Sequence, residues 1–193
     1  MYQLKEAESI ATKLIELIRP LCVRAEIAGS IRRRKAQVKD VEMVVVPKYE
    51  LRQQANFLFA QTEPVNLLYE RWARDTKDVE WIKPATHEIV RWPIKPEGKY
   101  WRGLLPSGMK LDLFLVSPEN WGIQLLIRTG SAEFSQGVMT VAKRIGKPCV
   151  NGFLQSSEGN DSFTFEERDA FEILGLDYVD PSKRTGPEAV KVK

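Results

Sequence analysis

The chain has 193 residues, 43% hydrophobic and 28% charged, which excludes a disordered tail or a fibre and fits one compact domain, or a core with a small appendage. Its net charge of +3, from 29 Lys and Arg against 26 Asp and Glu, does not by itself indicate nucleic-acid binding, so that function must be argued from where the charges sit. Cys22 and Cys149 lack CxxC spacing and His87 is the single histidine, which excludes a disulfide scaffold, a cysteine zinc site and a His-rich metal centre, and leaves chemistry to carboxylates and basic groups.

From Leu4, apolar residues at Ala7, Ile10, Ala11, Leu14, Leu17, Ile18 and Leu21 predict a one-sided helix to about Pro20 that packs on a sheet. Arg24 to Ala28 reads as a short strand, Gly29-Ser30 as a turn, and Arg32-Arg33-Arg34-Lys35 as a basic run. Asp40 to Pro47 is β-branched, short and closed by proline, a buried strand. Between Glu50 and Gly98 no periodicity is sustained; the segment predicts helices over 51–60 and 64–74, a strand over 88–92, and loops around the sheet. Tyr100–Leu105 and Met109–Val116 predict a hairpin through Pro106-Ser107-Gly108. Trp121–Ile127 predicts a helix broken at Thr129-Gly130-Ser131, and the next helix carries Phe134, Val138, Val141, Ala142 and Ile145 on one face and ends at Gly146. Thr164 and Glu167 have capping-box spacing ahead of Ala170, Phe171 and Leu174, and the tail from Lys183 is expected to fray. The tryptophans Trp72, Trp81, Trp92, Trp101 and Trp121 read as core, with base stacking a second reading for Trp92 and Trp101.

Asp40 and Glu42 lie two apart on a strand, so both side chains point to one face. Within so apolar a run two carboxylates need a partner, and oxygen ligands favour Mg²⁺ or Mn²⁺. An isolated D-x-E is more often the exposed start of a strand paired with arginine, but Asp112, mid-strand in Met109–Val116, changes the balance. If the strands are neighbours, three carboxylates form one patch, enough for two cations about 3.5–4 Å apart and an in-line displacement at phosphorus. Gly29-Ser30 lies ten residues before Asp40 with Arg32, Arg33, Arg34, Lys35 and Lys39 between. Glycine lets the backbone approach a phosphate, the serine hydroxyl donates to it, and arginine forks match its oxygens.

The order Gly29-Ser30, Arg33, Asp40-Val41-Glu42 and then Asp112 resembles the nucleotidyltransferase superfamily and, more narrowly, the X family of DNA polymerases, to which DNA polymerase beta belongs. Ile127-Arg128-Thr129-Gly130-Ser131 resembles that family's Y-F-T-G-S segment at the junction of palm and thumb, and Phe171 to Val179 its closing stretch. The resemblance implies an α/β (α+β) fold: a nucleotidyltransferase palm over residues 1–120 with a mixed β-sheet flanked by helices, and a small C-terminal thumb over 121–193. Asp40, Glu42 and Asp112 are then the catalytic metal ligands for two Mg²⁺ or Mn²⁺ ions, with Asp112 nearest the primer 3′-hydroxyl. Gly29, Ser30, Arg33, Lys39, Arg128, Thr129 and Gly130 fall at nucleotide-binding positions, and Lys110, Arg32, Lys143 and Arg144 at DNA-binding ones. Glu42 stands where these polymerases usually have Asp. Ile127 and Arg128 replace the aromatic pair, leaving Arg128 to stack on a base or bind a phosphate.

The implied activity is transfer of a nucleoside monophosphate from a dNTP or NTP to a 3′-hydroxyl of primer-template or gapped DNA, in gap-filling repair. Two rivals are a nucleotidyltransferase acting on RNA, a protein or a small molecule, and a catalytically silent nucleic-acid-binding module. Palm and thumb take up the whole sequence, so the lyase and fingers regions of larger relatives are expected to be absent. The N-terminus is charged and no apolar run approaches the roughly 20 residues of a membrane span, so a monomer that is cytoplasmic, or wherever the host DNA lies, and not secreted is expected.

Overall fold

The structure is a computed structural model and describes residues 1–53, 62–83, 86–90 and 95–193. A short strand β1 (Tyr2–Gln3) leads into α1 (Leu4–Ile18), whose buried residues Ala7, Ala11, Leu14, Ile15 and Ile18 form one stripe. After Pro20 come β2 (Cys22–Ile27), a single helical turn α2 (Gly29–Arg32), β3 (Gln37–Val38) and β4 (Asp40–Pro47). There follow β5 (Tyr49–Gln53), β6 (Thr62–Asn66), β7 (Glu80–Ile82), β8 (Ile89–Val90), β9 (Tyr100–Leu104) and β10 (Lys110–Leu115). The last third holds α3 (Trp121–Thr129), α4 (Ala132–Arg144), three short strands β11 (Cys149–Val150), β12 (Phe153–Gln155) and β13 (Asp161–Ser162), and α5 (Glu167–Ile173).

Six strands form one mixed sheet in the order β2-β4-β10-β9-β7-β8. β4 and β10 are its parallel pair, with Asp112 opposite Glu42 and Lys110 opposite Asp40, and β9 and β10 form the expected antiparallel hairpin. The two-residue alternation divides β4 and β10 between the two faces. Val41, Met43, Val45, Leu111, Leu113 and Leu115 join the core beneath α1. Val44, Val46 and Phe114 pack with Trp121 and Leu125 of α3 on the opposite face. Asp40, Glu42 and Asp112 belong to that second face, at the half that α3 leaves open. One strand face is thus apolar where a helix covers it and acidic where none does.

The middle of the chain departs from its expected elements. Residues 51–53 lie in β5, which pairs antiparallel with β6, and 62–66 are strand rather than helix; residues 54–60 lie outside the described set. Leu51 is 72% exposed, so this hairpin carries no periodic core face to read, and Pro64 removes one helix donor. Among the described residues of this segment helical geometry is confined to 67–73, ending in a short wide turn, Tyr69–Ala73. The strand expected over 88–92 is seen at Ile89–Val90. Trp72, Trp81 and Trp101 form an edge-to-face chain with centroids 5.6 and 6.0 Å apart, and all are buried, as is Trp121; Trp92 lies outside the described residues.

A second core gathers Ile123 and Leu126 of α3, Phe134, Val138, Val141 and Ala142 of α4, and Ala170, Phe171, Leu174 and Leu176. α3 therefore serves both this core and the cluster on the sheet face opposite α1. Ser131 caps α4, its hydroxyl accepting the Phe134 N–H at 3.1 Å. Two expectations are corrected here. The capping box of α5 is Glu166 with Asp169, while Thr164 is buried and takes the Ile123 N–H at 3.0 Å, because the loop is needed to satisfy the start of α3. Nor does the tail fray: Val192 bridges Leu176, and Arg184 is fully buried. Among the described residues no helix is long and apolar enough to cross a membrane.

Candidate active site

β4 presents Asp40 and Glu42 on one face, and the register of β10 sets Asp112 beside Glu42. Burial, then the Asp112 charge, push the Asp40 carboxyl above its ordinary value against the opposing pull of Arg102, Lys110 and Lys39. Glu42 is pushed from 4.5 up to about 7, by burial first and then by Asp40 and Asp112, with Arg33 and Arg128 partly compensating. Burial is the larger cause of both shifts, with carboxylate repulsion second. The expected three-carboxylate cluster is nevertheless not gathered: among the described residues no three His, Cys, Asp or Glu side chains come together to hold a metal ion. Both Asp112 oxygens instead accept hydrogen bonds, from Arg102 at 2.7 and 2.9 Å and from the Tyr100 hydroxyl at 2.6 Å.

The Glu42 shift has a testable consequence. The folded chain keeps a proton that the unfolded chain releases, so without metal its stability falls as pH rises from about 4.5 to 7. Glu42→Gln removes the penalty. In EDTA at about pH 8 the variant is expected to be more stable than the parent by up to about 3 kcal/mol, and at about pH 4 to show no gain, read from denaturation midpoints.

Gly29 and Ser30 follow β2 directly, and the Ala28 N–H donates to the Glu42 carbonyl at 2.8 Å, which fixes this turn against the acidic strand. Gly29 has φ +60°, and a Cβ there would run into the Glu42 carboxylate, so glycine answers both the backbone and the close approach. Ser30, Arg33, Lys39, Asp40 and Glu42 line one cleft of about 560 Å³. The Ser30 hydroxyl and Arg33 Nε are buried in this turn with no hydrogen-bond partner, an expense that a bound polar group would relieve. Arg33 Nη1 is turned the other way, donating to the Thr129 and Gly130 carbonyls at 2.6 and 2.8 Å.

Arg32, expected at a DNA-binding position, donates to Thr129 Oγ1 at 2.7 Å and forms a two-point pair with Glu167 at 2.7 and 3.0 Å. Arg184 joins the same carboxylate at 2.6 Å. Burial drives the Glu167 carboxyl up, and the hydrogen bonds from Arg184 and Arg32 outweigh it, leaving it below the ordinary carboxylate range. Arg32 is thus a brace between α2 and α5. Arg128 lies over the Phe114 ring at 4.0 Å with its Nε buried and unpartnered; burial lowers its pKa against the pull of Glu42, Tyr100 and Asp112. Lys39, Lys110, Lys143 and Arg144 are exposed.

Sequence reading missed Tyr100, Arg102 and Glu167. Arg102 and Tyr100 could have been found from the hairpin, since pairing β9 with β10 about the Pro106-Ser107-Gly108 turn puts Arg102 opposite Asp112. The local sequence marks Glu167 only as a capping-box candidate, not as an ion-pair partner.

No protein-family model matches this sequence, and no curated protein matches it. The structure is similar to a crystal structure of Leishmania infantum polymerase beta, a ternary P/T complex, with a TM-score of 0.66 and 16% sequence identity over 95% of this chain and 76% of that one. At that identity the likeness is one of fold: a mixed sheet flanked by helices, as in that polymerase beta structure.

Proposed function

We propose that this protein is a nucleotidyltransferase of the DNA polymerase type, passing a nucleoside monophosphate from a dNTP or NTP to a DNA 3′-hydroxyl, with residues 1–120 as palm and 121–193 as thumb. The observation that carries the reading is an acidic half-face, Asp40 and Glu42 with Asp112 in register, flanked by the buried and unpartnered Ser30 hydroxyl. The donor set fits divalent cations: all ligands are carboxylates, and burial, then mutual repulsion, raises the Asp40 and Glu42 carboxyls, a cost that a bound cation would offset. Asp40, Glu42 and Asp112 would hold Mg²⁺ or Mn²⁺, which when bound lower the pKa of the acceptor hydroxyl and stabilise the charge of phosphoryl transfer.

Each side chain has a separate task in this reading. Ser30 Oγ donates to a terminal phosphate oxygen of the nucleotide, and Arg33 and Lys39 balance the charge of that tail. Thr129 and Gly130, fixed by Arg33, line the sugar side, and Asp112 receives the acceptor proton. Lys110, Lys143 and Arg144 lie exposed to meet DNA phosphates. Arg128, spread on Phe114, presents a flat cation at the edge of the acidic half-face, suited to a phosphate or a base plane. Isothermal titration of a non-hydrolysable dNTP tests the reading. Binding is expected only with Mg²⁺ or Mn²⁺, and Ser30→Ala is expected to weaken it about tenfold, the loss of one hydrogen bond to a charged oxygen. Retention of DNA with no metal-dependent nucleotide binding would instead mark a silent binding module.

A further inference from the structure

Asp112 sits at the centre of the proposed site, yet neither of its oxygens is free. Arg102 is directly opposite it across the β9–β10 ladder, where cross-strand side chains meet without help from a loop. Arg102 Nε donates to Oδ1 at 2.7 Å and Nη2 to Oδ2 at 2.9 Å, the parallel two-point geometry that makes arginine–carboxylate pairs strong. The Tyr100 hydroxyl adds a third bond, to Oδ1 at 2.6 Å, and is itself fixed by stacking on Phe114 at 5.1 Å and 19°.

The two partners differ in freedom to move. The Asp112 side chain is 8% exposed, enclosed by its strand and by Tyr100, whereas that of Arg102 is 29% exposed and borders an open cleft with Lys99, Gln124 and Arg128. The Arg102 fork and the Tyr100 hydroxyl together take three of the roughly four lone-pair positions of the carboxylate, so a divalent cation drawing on both oxygens competes with Arg102 for them. We propose that Arg102 is a resident counter-cation of Asp112 that a divalent metal ion must displace, so that this arginine sets the metal affinity of the site. The inference rests on the reading of Asp112 as a metal ligand. With Arg102 in place, Asp112 is already neutralised and hydrogen-bonded to β9.

Mn²⁺ binding to the full chain, measured as free Mn²⁺ by electron paramagnetic resonance, separates the possibilities. Asp112→Asn is expected to weaken Mn²⁺ binding, and Arg102→Gln to tighten it about tenfold, the scale of a charged hydrogen-bonded pair lost as competitor. Lys99→Gln removes a cation from the same cleft with no bond to Asp112 and is expected to change affinity less than about twofold. The parent chain supplies a readout that needs no variant. The Arg102 Nε–H, shielded from exchange by the carboxylate, is expected to lose its protection in ¹⁵N NMR as Mg²⁺ is added. If Asp112→Asn weakens binding while Arg102→Gln binds no tighter than the parent, or Lys99→Gln tightens it as much, the inference is overturned and the metal site stands. An Nε–H that stays protected at saturating Mg²⁺ also overturns it. If Asp112→Asn and the parent bind Mn²⁺ alike, the metal-site reading itself fails.

Discussion

Asp40→Asn is expected to lower nucleotide transfer by roughly three orders of magnitude or more, the scale of losing a charged ligand in a metal-assisted displacement, without lowering the stability of the metal-free fold. The two halves of that expectation come from one observation. Asp40 has its carboxyl pushed up by burial and by Asp112, so in the metal-free chain its charge is a cost and asparagine, of the same shape, relieves it. Glu42 should benefit too, since Asp40 is the largest charge acting on it; its titration, followed by carboxyl ¹³C NMR, is expected to move down in the variant. A variant that is inactive because it is unfolded would show neither the retained melting temperature nor the shifted Glu42 titration.

Glu167→Gln is expected to act in the opposite sense, costing about 3–5 kcal/mol of stability, the range for breaking a buried charge pair from one side. Glu167 is 8% exposed in its side chain and is shared by Arg32, 24% exposed, and Arg184, fully buried. Arg184 already has one terminal nitrogen without a partner, so losing the carboxylate strands a guanidinium where water cannot reach it. The Glu167 carboxyl lies below its ordinary value of 4.5 in the fold, so its contribution is present above about pH 4.5 and is lost as pH falls through the folded-state value. Urea denaturation at about pH 7 and pH 3 should therefore show a large gap between parent and variant at the higher pH and a narrower one at the lower. Because Arg32 begins the tether from α2 to Thr129, the variant should also weaken nucleotide binding at temperatures where it remains folded. A Glu167→Leu, Arg184→Met double variant should recover part of the lost stability, since the stranded charge is gone.

The sequence was most legible where one local rule decides the outcome. The Asp40–Pro47 run reads as a strand because β-branched residues and a closing proline admit little else, and the two-residue period then forces Asp40 and Glu42 to one side. Gly29-Ser30 was legible as a turn near a phosphate-sized space, though not the reason for glycine, which is the Glu42 carboxylate pressed against it. What could not be read depends on pairing over distance. Arg32 and Glu167 are 135 residues apart, and a basic run looks the same whether it faces solvent or one buried carboxylate. The same ion pair explains why a tail rich in Lys is held to the fold: Arg184 anchors it from within. β5 and β6 escaped notice because their side chains are mostly exposed and leave no apolar alternation to count.

Single-turnover extension by the full chain on a one-nucleotide gapped duplex, with each dNTP and NTP in Mg²⁺ and in EDTA, tests the central claim most directly. The account predicts addition of one nucleotide to the 3′-hydroxyl with release of pyrophosphate, in Mg²⁺ only, and its loss in Asp40→Asn. Extension that persists in EDTA or in Asp40→Asn would contradict it, as would a chain that binds metal and nucleotide yet extends no DNA, RNA or other acceptor.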